Sequence, residues 1–200
     1  RKGRYFREKL AAKGIDLICP VLNLPSFRKL TISAQVDEVV RLARNVPGGR
    51  KVVLIGSSLG GVVSIIAARR LPEIVDRVLL IAPALRFIGK RLATACGTTM
   101  EKWEEDGFIR IIHLGDNKVH KLGYELVEDA GCQDYSFPEN RNVQILVVHG
   151  TEDDVVPFEL TKQKLDTIEG VHLIPIEGGD HSLGDRLEEL WKHSEDFLLS

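Results

Sequence analysis

Short apolar, β-branched runs alternate along this chain with stretches whose apolar residues recur at helical spacing, and few folds accommodate that order. The runs occupy 15–21, 51–55, 77–83, 143–148 and 171–176. Between and around them, 5–13, 32–45, 62–68, a segment from about 158 and 184–199 carry apolar stripes, such as Val36, Val39, Val40 and Ala43, or Leu187, Leu190 and Trp191. Strands apolar on both faces are the mark of a parallel sheet covered on both sides. Alternation with amphipathic helices therefore predicts an α/β protein, a mostly parallel sheet flanked by helices, in one domain over 1–200. The stretch 84–142 breaks the rhythm. Within it, 108–114 and 119–122 flank Gly115-Asp116-Asn117-Lys118 and predict a hairpin, and 124–130 is helical in pattern. An insertion of that length in a compact fold is expected to be lid-like.

Composition narrows the partners. A formal net charge of −2 supplies no basic field for nucleic acid, and the longest apolar runs are well short of the ~20 residues that cross a bilayer. Cys19, Cys96 and Cys132 form no CxxC pair, so neither a disulfide framework nor a cysteine-based zinc site is expected, and a reducing, cytoplasmic setting is. The chain opens on Arg1-Lys2-Gly3 without an initiator methionine or an apolar leader core. A longer native chain is expected, with an organelle stroma or matrix as the other location if a transit segment precedes Arg1. The oligomeric state is not legible.

One motif carries chemistry. Gly56-Ser57-Ser58-Leu59-Gly60-Gly61 joins the run 51–55 to an apolar helix and matches G-x-S-x-G around Ser58. A strand that turns straight into a helix holds its central residue in a strained conformation, with space only for glycine two positions either side. Ser58 is thereby exposed as a nucleophile, and the Leu59 N–H at the helix start faces a developing oxyanion. Other glycine-rich loops fit poorly. Val62-Val63 follows where a P-loop needs Lys-Ser/Thr, and Ser58 takes the place of the second glycine of a dinucleotide fingerprint.

Possible partners follow in order. Glu152, Asp153 and Asp154 lie in the loop after the run 143–148, and His181 lies in the loop after 171–176. Loops at the carboxyl ends of parallel strands share one crevice, and serine, acid, histidine is the α/β-hydrolase chain order. The residues alone leave the choice among the three acids open. His149, which ends the strand before the acid, is expected to support that loop. No H-x-x-x-H pair exists among the six histidines, so no metal is expected, and no cofactor is implied.

On these motifs the chain resembles the serine esterases of the α/β-hydrolase superfamily, most of all the small YqiA-like single-domain esterases. His149-Gly150-Thr151-Glu152-Asp153-Asp154-Val155-Val156-Pro157 is similar to the family's acid loop and selects Asp153; Gly178-Gly179-Asp180-His181 is similar to its histidine loop. Leu22-Asn23-Leu24-Pro25-Ser26-Phe27 after an early strand adds to the likeness. The resemblance implies a triad of Ser58, Asp153 and His181, an oxyanion donor at Leu59, and a small ester or thioester substrate. It also implies a strand before Arg1, between the runs 15–21 and 51–55, carrying a second oxyanion donor. The aromatics Trp103, Phe108 and Tyr124 are expected either to wall the acyl site or to form the insertion's own small core. A non-catalytic scaffold that binds a small ligand or a protein is the alternative from another class.

Overall fold

The computed structural model describes residues 1–87, 89–113, 118–139 and 142–200. Four parallel strands, β1 (Val52–Ser57), β2 (Val75–Ile81), β5 (Gln144–Gly150) and β6 (Val171–Ile176), form a sheet in the order β1-β2-β5-β6. Successive side chains of a strand face opposite sides, and here both sides are apolar. Val78, Leu80, Ile145 and Val147 enter one core with Val36, Val40, Ile65 and Ile66 of helices α2 (Ile32–Arg44) and α3 (Leu59–Arg70). Leu79, Ile81, Leu146 and Val148 enter the other, against Phe6 and Leu10 of α1 (Lys2–Ala11) and Leu190, Trp191 and Leu198 of α8 (Leu187–Leu199). The continuous apolar runs in the sequence are thus the two-faced burial of β2 and β5. Among the described residues no helix is long and apolar enough to cross a membrane.

The expected strand at 15–21 is not formed. That segment is irregular, with Ile18 63% and Val21 78% exposed. An apolar run becomes a strand only where a ladder takes up its backbone groups, and β1, the sheet member expected two places away, pairs among the described residues with β2 alone. Pro20, which has no N–H to donate, disfavours pairing further.

The insertion holds α4 (Gly89–Ala95), α5 (Met100–Asp106), the antiparallel hairpin β3 (Phe108–His113) and β4 (Lys118–Gly123), and α6 (Glu125–Gly131). The hairpin lies where expected, with Lys118 opening β4; its expected turn at 115–117 falls outside the described residues. Helices α4 and α5 were not expected: seven residues each, they are too short to show a stripe. Trp103, Ile109, Leu122, Leu126 and Ala130 share the core of α2 and α3, so the insertion is packed onto the sheet layer, not hung from it. Polar ties reinforce this, with Ser33 N–H donating to Asp129 Oδ2 at 2.9 Å and Arg28 paired to Glu125 at 3.0 Å.

Candidate active site

Ser58 sits between β1 and α3 with φ 54° and ψ −122°, a region that L-residues seldom occupy. The turn is held from both sides. Ser58 N–H donates to Ile81 O at 3.1 Å, and Ser58 O accepts from Ala84 N–H at 3.1 Å and Gly61 N–H at 2.9 Å. A Cβ on Gly56 would run into the backbone of Gly60 and Ser64 Oγ. The second crowded glycine is Gly61, whose Cβ would stand 2.6 Å from Pro83 Cβ, whereas a Cβ on Gly60 would meet open space. The expectation of steric need at Gly60 is therefore corrected: in the first turn of α3, position 61 faces the end of β2 and position 60 turns away from it.

The acid and histidine loops meet backbone to backbone. Thr151 N–H donates to Ile176 O at 3.0 Å, and Glu152 N–H to Gly179 O at 2.9 Å, an approach that leaves no space for a side chain on Gly150. This brings three distant residues together. His181 Nε2 lies 3.0 Å from Ser58 Oγ, and its Nδ1 lies 2.7 Å from Asp153 Oδ2. Facing a carboxylate, Nδ1 carries the proton, which leaves Nε2 to accept from the serine hydroxyl.

Asp153 is buried, and its oxygens have four donors. Oδ1 accepts from the N–H groups of Val155 (2.9 Å) and Val156 (2.7 Å), and Oδ2 accepts from His181 and from His149 Nε2 at 2.9 Å. Burial opposes its ionisation. The bonds from His149, His181 and Val156 N–H outweigh that and hold the carboxyl well below the usual carboxylate range. Glu152 and Asp154 are exposed, so only Asp153 of the three neighbouring acids faces His181.

Leu59 opens α3, and the first N–H groups of a helix have no intrahelical acceptor. Ser58 and Leu59 line a cavity of about 800 Å³. Its wall is mostly apolar, from residues such as Phe27, Leu30, Phe87, Ile111 and Leu126, with Lys90, Arg91, Thr94 and Asp154 as further polar members. Trp103, Phe108 and Tyr124 do not line it. Trp103 is fully buried, edge-on to Tyr124 at 6.0 Å between centroids, and Phe108 is flanked by Arg28, Arg110 and Lys121. They pack the insertion, whose contribution from β3 to the cavity, among the described residues, is Ile111.

Two residues in contact with the site carried no signal in the sequence. Lys2 Nζ donates to the main-chain oxygens of Ser182 (2.9 Å) and His181 (3.4 Å) and steadies the histidine loop; burial lowers its pKa, with Asp180 and Asp153 opposing. Arg91 donates to Asp154 O (2.8 Å) and Val155 O (3.1 Å), joining α4 to the acid loop. Both act on main-chain oxygens, which no side-chain pattern announces. Cys19, Cys96 and Cys132 are free thiols, and no group of three potential ligands that could hold a metal ion occurs among the described residues.

Strand order, parallel pairing and a serine turn at the carboxyl edge make this an α/β-hydrolase fold, and solved structures agree. Est1E from Butyrivibrio proteoclasticus superposes with a TM-score of 0.69 at 21% identity, over 86% of this chain and 70% of its own. Polyneuridine aldehyde esterase matches at 0.65 and 16% identity, over 98% and 93%, and mouse alpha/beta hydrolase domain-containing protein 10 at 0.63 and 23%, over 84% and 69%. No curated protein matches the chain by sequence. The chain belongs to the uncharacterised protein family UPF0227, whose model matches residues 1–197.

Proposed function

We propose that the protein is a serine hydrolase that cleaves a carboxylic ester or thioester of modest size through an acyl-enzyme. The observation that carries this reading is the unbroken hydrogen-bond chain from Ser58 Oγ through His181 to Asp153, opening onto an apolar cavity. Ser58 Oγ attacks the acyl carbon as its proton passes to His181 Nε2. The oxyanion of the tetrahedral intermediate lies at the start of α3 and accepts from Leu59 N–H. Collapse expels the alcohol or thiol, which leaves with the proton from His181. A water then attacks the acyl carbon, gives its proton to Nε2, and the second collapse returns that proton to Ser58 Oγ and frees the acid. Asp153 stays ionised throughout and holds the imidazole in its Nδ1–H tautomer. A cavity of about 800 Å³ suits a ligand of drug-like size, with the acyl group on the apolar wall.

Fluorophosphonate labelling tests the reading, run on the protein, on Ser58→Ala and on a chain extended upstream of Arg1, where the family resemblance places a second oxyanion donor. Labelling lost in Ser58→Ala supports the nucleophile; a panel of p-nitrophenyl acyl esters then sets the preferred chain length. A structure of Est1E holds ferulic acid, so a feruloyl ester belongs in the panel. A folded protein that stays unlabelled in both chain lengths refutes the reading in favour of a binding scaffold.

A further inference from the structure

His149 touches the triad without belonging to the proton path. It is fully buried at the end of β5, its ring edge-on to Phe158 of α7 (Phe158–Leu165) with centroids 5.8 Å apart. Nε2 stands 2.9 Å from Asp153 Oδ2 and 2.9 Å from Val156 O. Both neighbours are acceptors, since a carbonyl has no proton and Asp153 is held ionised by His181 and the N–H groups of Val155 and Val156. Nε2 therefore carries the proton and shares it between the two oxygens. Nδ1, buried as deeply, has no partner among the described residues. A buried polar atom left unpaired is costly, so the ring is placed for its one N–H, not for a full set of bonds.

We propose that His149 is a positioning residue for the triad acid, its Nε2–H pinning Asp153 Oδ2 beside Val156 O so that the same oxygen faces His181 Nδ1. The proposal rests on the hydrolase reading above. Oδ2 serves two imidazoles at once, and a donor on one side draws negative charge from the bond on the other. The His181–Asp153 pair binds protons as a coupled unit; without His149 the carboxylate meets His181 alone, and the pair holds its proton more tightly. The charged and titratable groups that face Asp153 are His149 from β5, His181 from the loop after β6, and Lys2 from α1. Glu152 and Asp154 of its own loop are exposed, and Phe158 of α7 is uncharged.

The test compares His149→Leu, which keeps bulk and removes the donor, with His149→Gln, whose amide N–H reaches the place of Nε2. Turnover of p-nitrophenyl butyrate is measured against pH, per active site titrated with fluorophosphonate. In His149→Leu, kcat falls about tenfold with KM within about twofold, and the acid-side midpoint of kcat/KM rises by about one unit, the low end of what one lost hydrogen bond to a charged acceptor is worth. His149→Gln restores kcat to within about threefold and returns the midpoint. A folded His149→Leu whose profile superposes on that of the unaltered protein overturns the proposal. Nitrogen-15 NMR of the histidine rings in the unaltered protein provides a check that no variant's folding can spoil: the His149 signal, assigned through its bond couplings, must show the proton on Nε2, and a proton on Nδ1 overturns the proposal. Turnover that survives in Ser58→Ala overturns the hydrolase reading itself, whereas Ser58-dependent turnover with unmoved His149 variants overturns only the positioning role.

Discussion

At Ser58 a single residue holds a left-handed turn at the carboxyl end of β1, and the glycines around it divide the work of making space for that turn unequally. Gly61 lies against Pro83 and Gly60 against nothing. Gly61→Ala is expected to lose about 1–3 kcal/mol of stability through overpacking. Gly60→Ala, in the first turn of a helix, is expected to be neutral or to gain up to about 1 kcal/mol from the better helix former. Urea unfolding of the pair measures both, and a reversed order would mean that position 60, not 61, faces the sheet. The aromatic residues of the insertion divide in the same manner. Trp103 is fully buried away from the cavity, so Trp103→Ala should cost about 3–5 kcal/mol, while Trp103→Phe leaves the preferred acyl length unchanged. A change of chain-length preference in Trp103→Phe would restore that residue to the cavity wall.

Among the elements, the β3–β4 hairpin shows how a cavity is read from alternation. Ile109 and Leu122 pair across the strands and face the core, and Ile111, two residues on, reaches the cavity from the same face. Ile111→Trp fills cavity space and is expected to lower kcat/KM for p-nitrophenyl octanoate about tenfold or more, with the acetate ester within about threefold, since one or two methylenes in an apolar pocket are worth that much discrimination. Equal losses for both esters would place the acyl group elsewhere. Helices α4 and α5 escaped sequence reading because short helices owe their stability to tertiary packing, not to propensity. The segment 15–21 misled for the converse reason. Its residues have strand character, yet strand character is a capacity to pair, and no strand of the described residues takes up its backbone.

At the scale of the molecule, the site is also a stability element. The Asp153 carboxyl is held below its usual range, chiefly against the cost of burial, by bonds from His149, His181 and Val156 N–H. A depressed carboxyl stabilises fully above the unfolded value of about 3.9, and that contribution is lost as pH falls below it toward the folded value. The melting temperature should therefore exceed that of Asp153→Asn by a constant margin at neutral pH, and the margin should narrow below about pH 4. Calorimetry at pH 7, 5, 4 and 3 measures it; a margin that widens on acidification contradicts the depressed carboxyl.

What this sequence determined by itself was local. Alternating β-branched runs and helical stripes carry the α/β order because burial on two faces of a parallel strand demands them. The Gly56–Gly61 turn, the acid loop and the histidine loop are legible because each needs particular residue types within a few positions. The acid-loop resemblance already selected Asp153 among three adjacent acids; tertiary structure alone decided that His149 shares its carboxylate, that Lys2 and Arg91 hold the loops through main-chain oxygens, and which insertion residues face the cavity. Apart from His149 and Asp153, four residues apart, those are contacts between residues distant in the chain, and all are set by register and packing that no short-range pattern encodes.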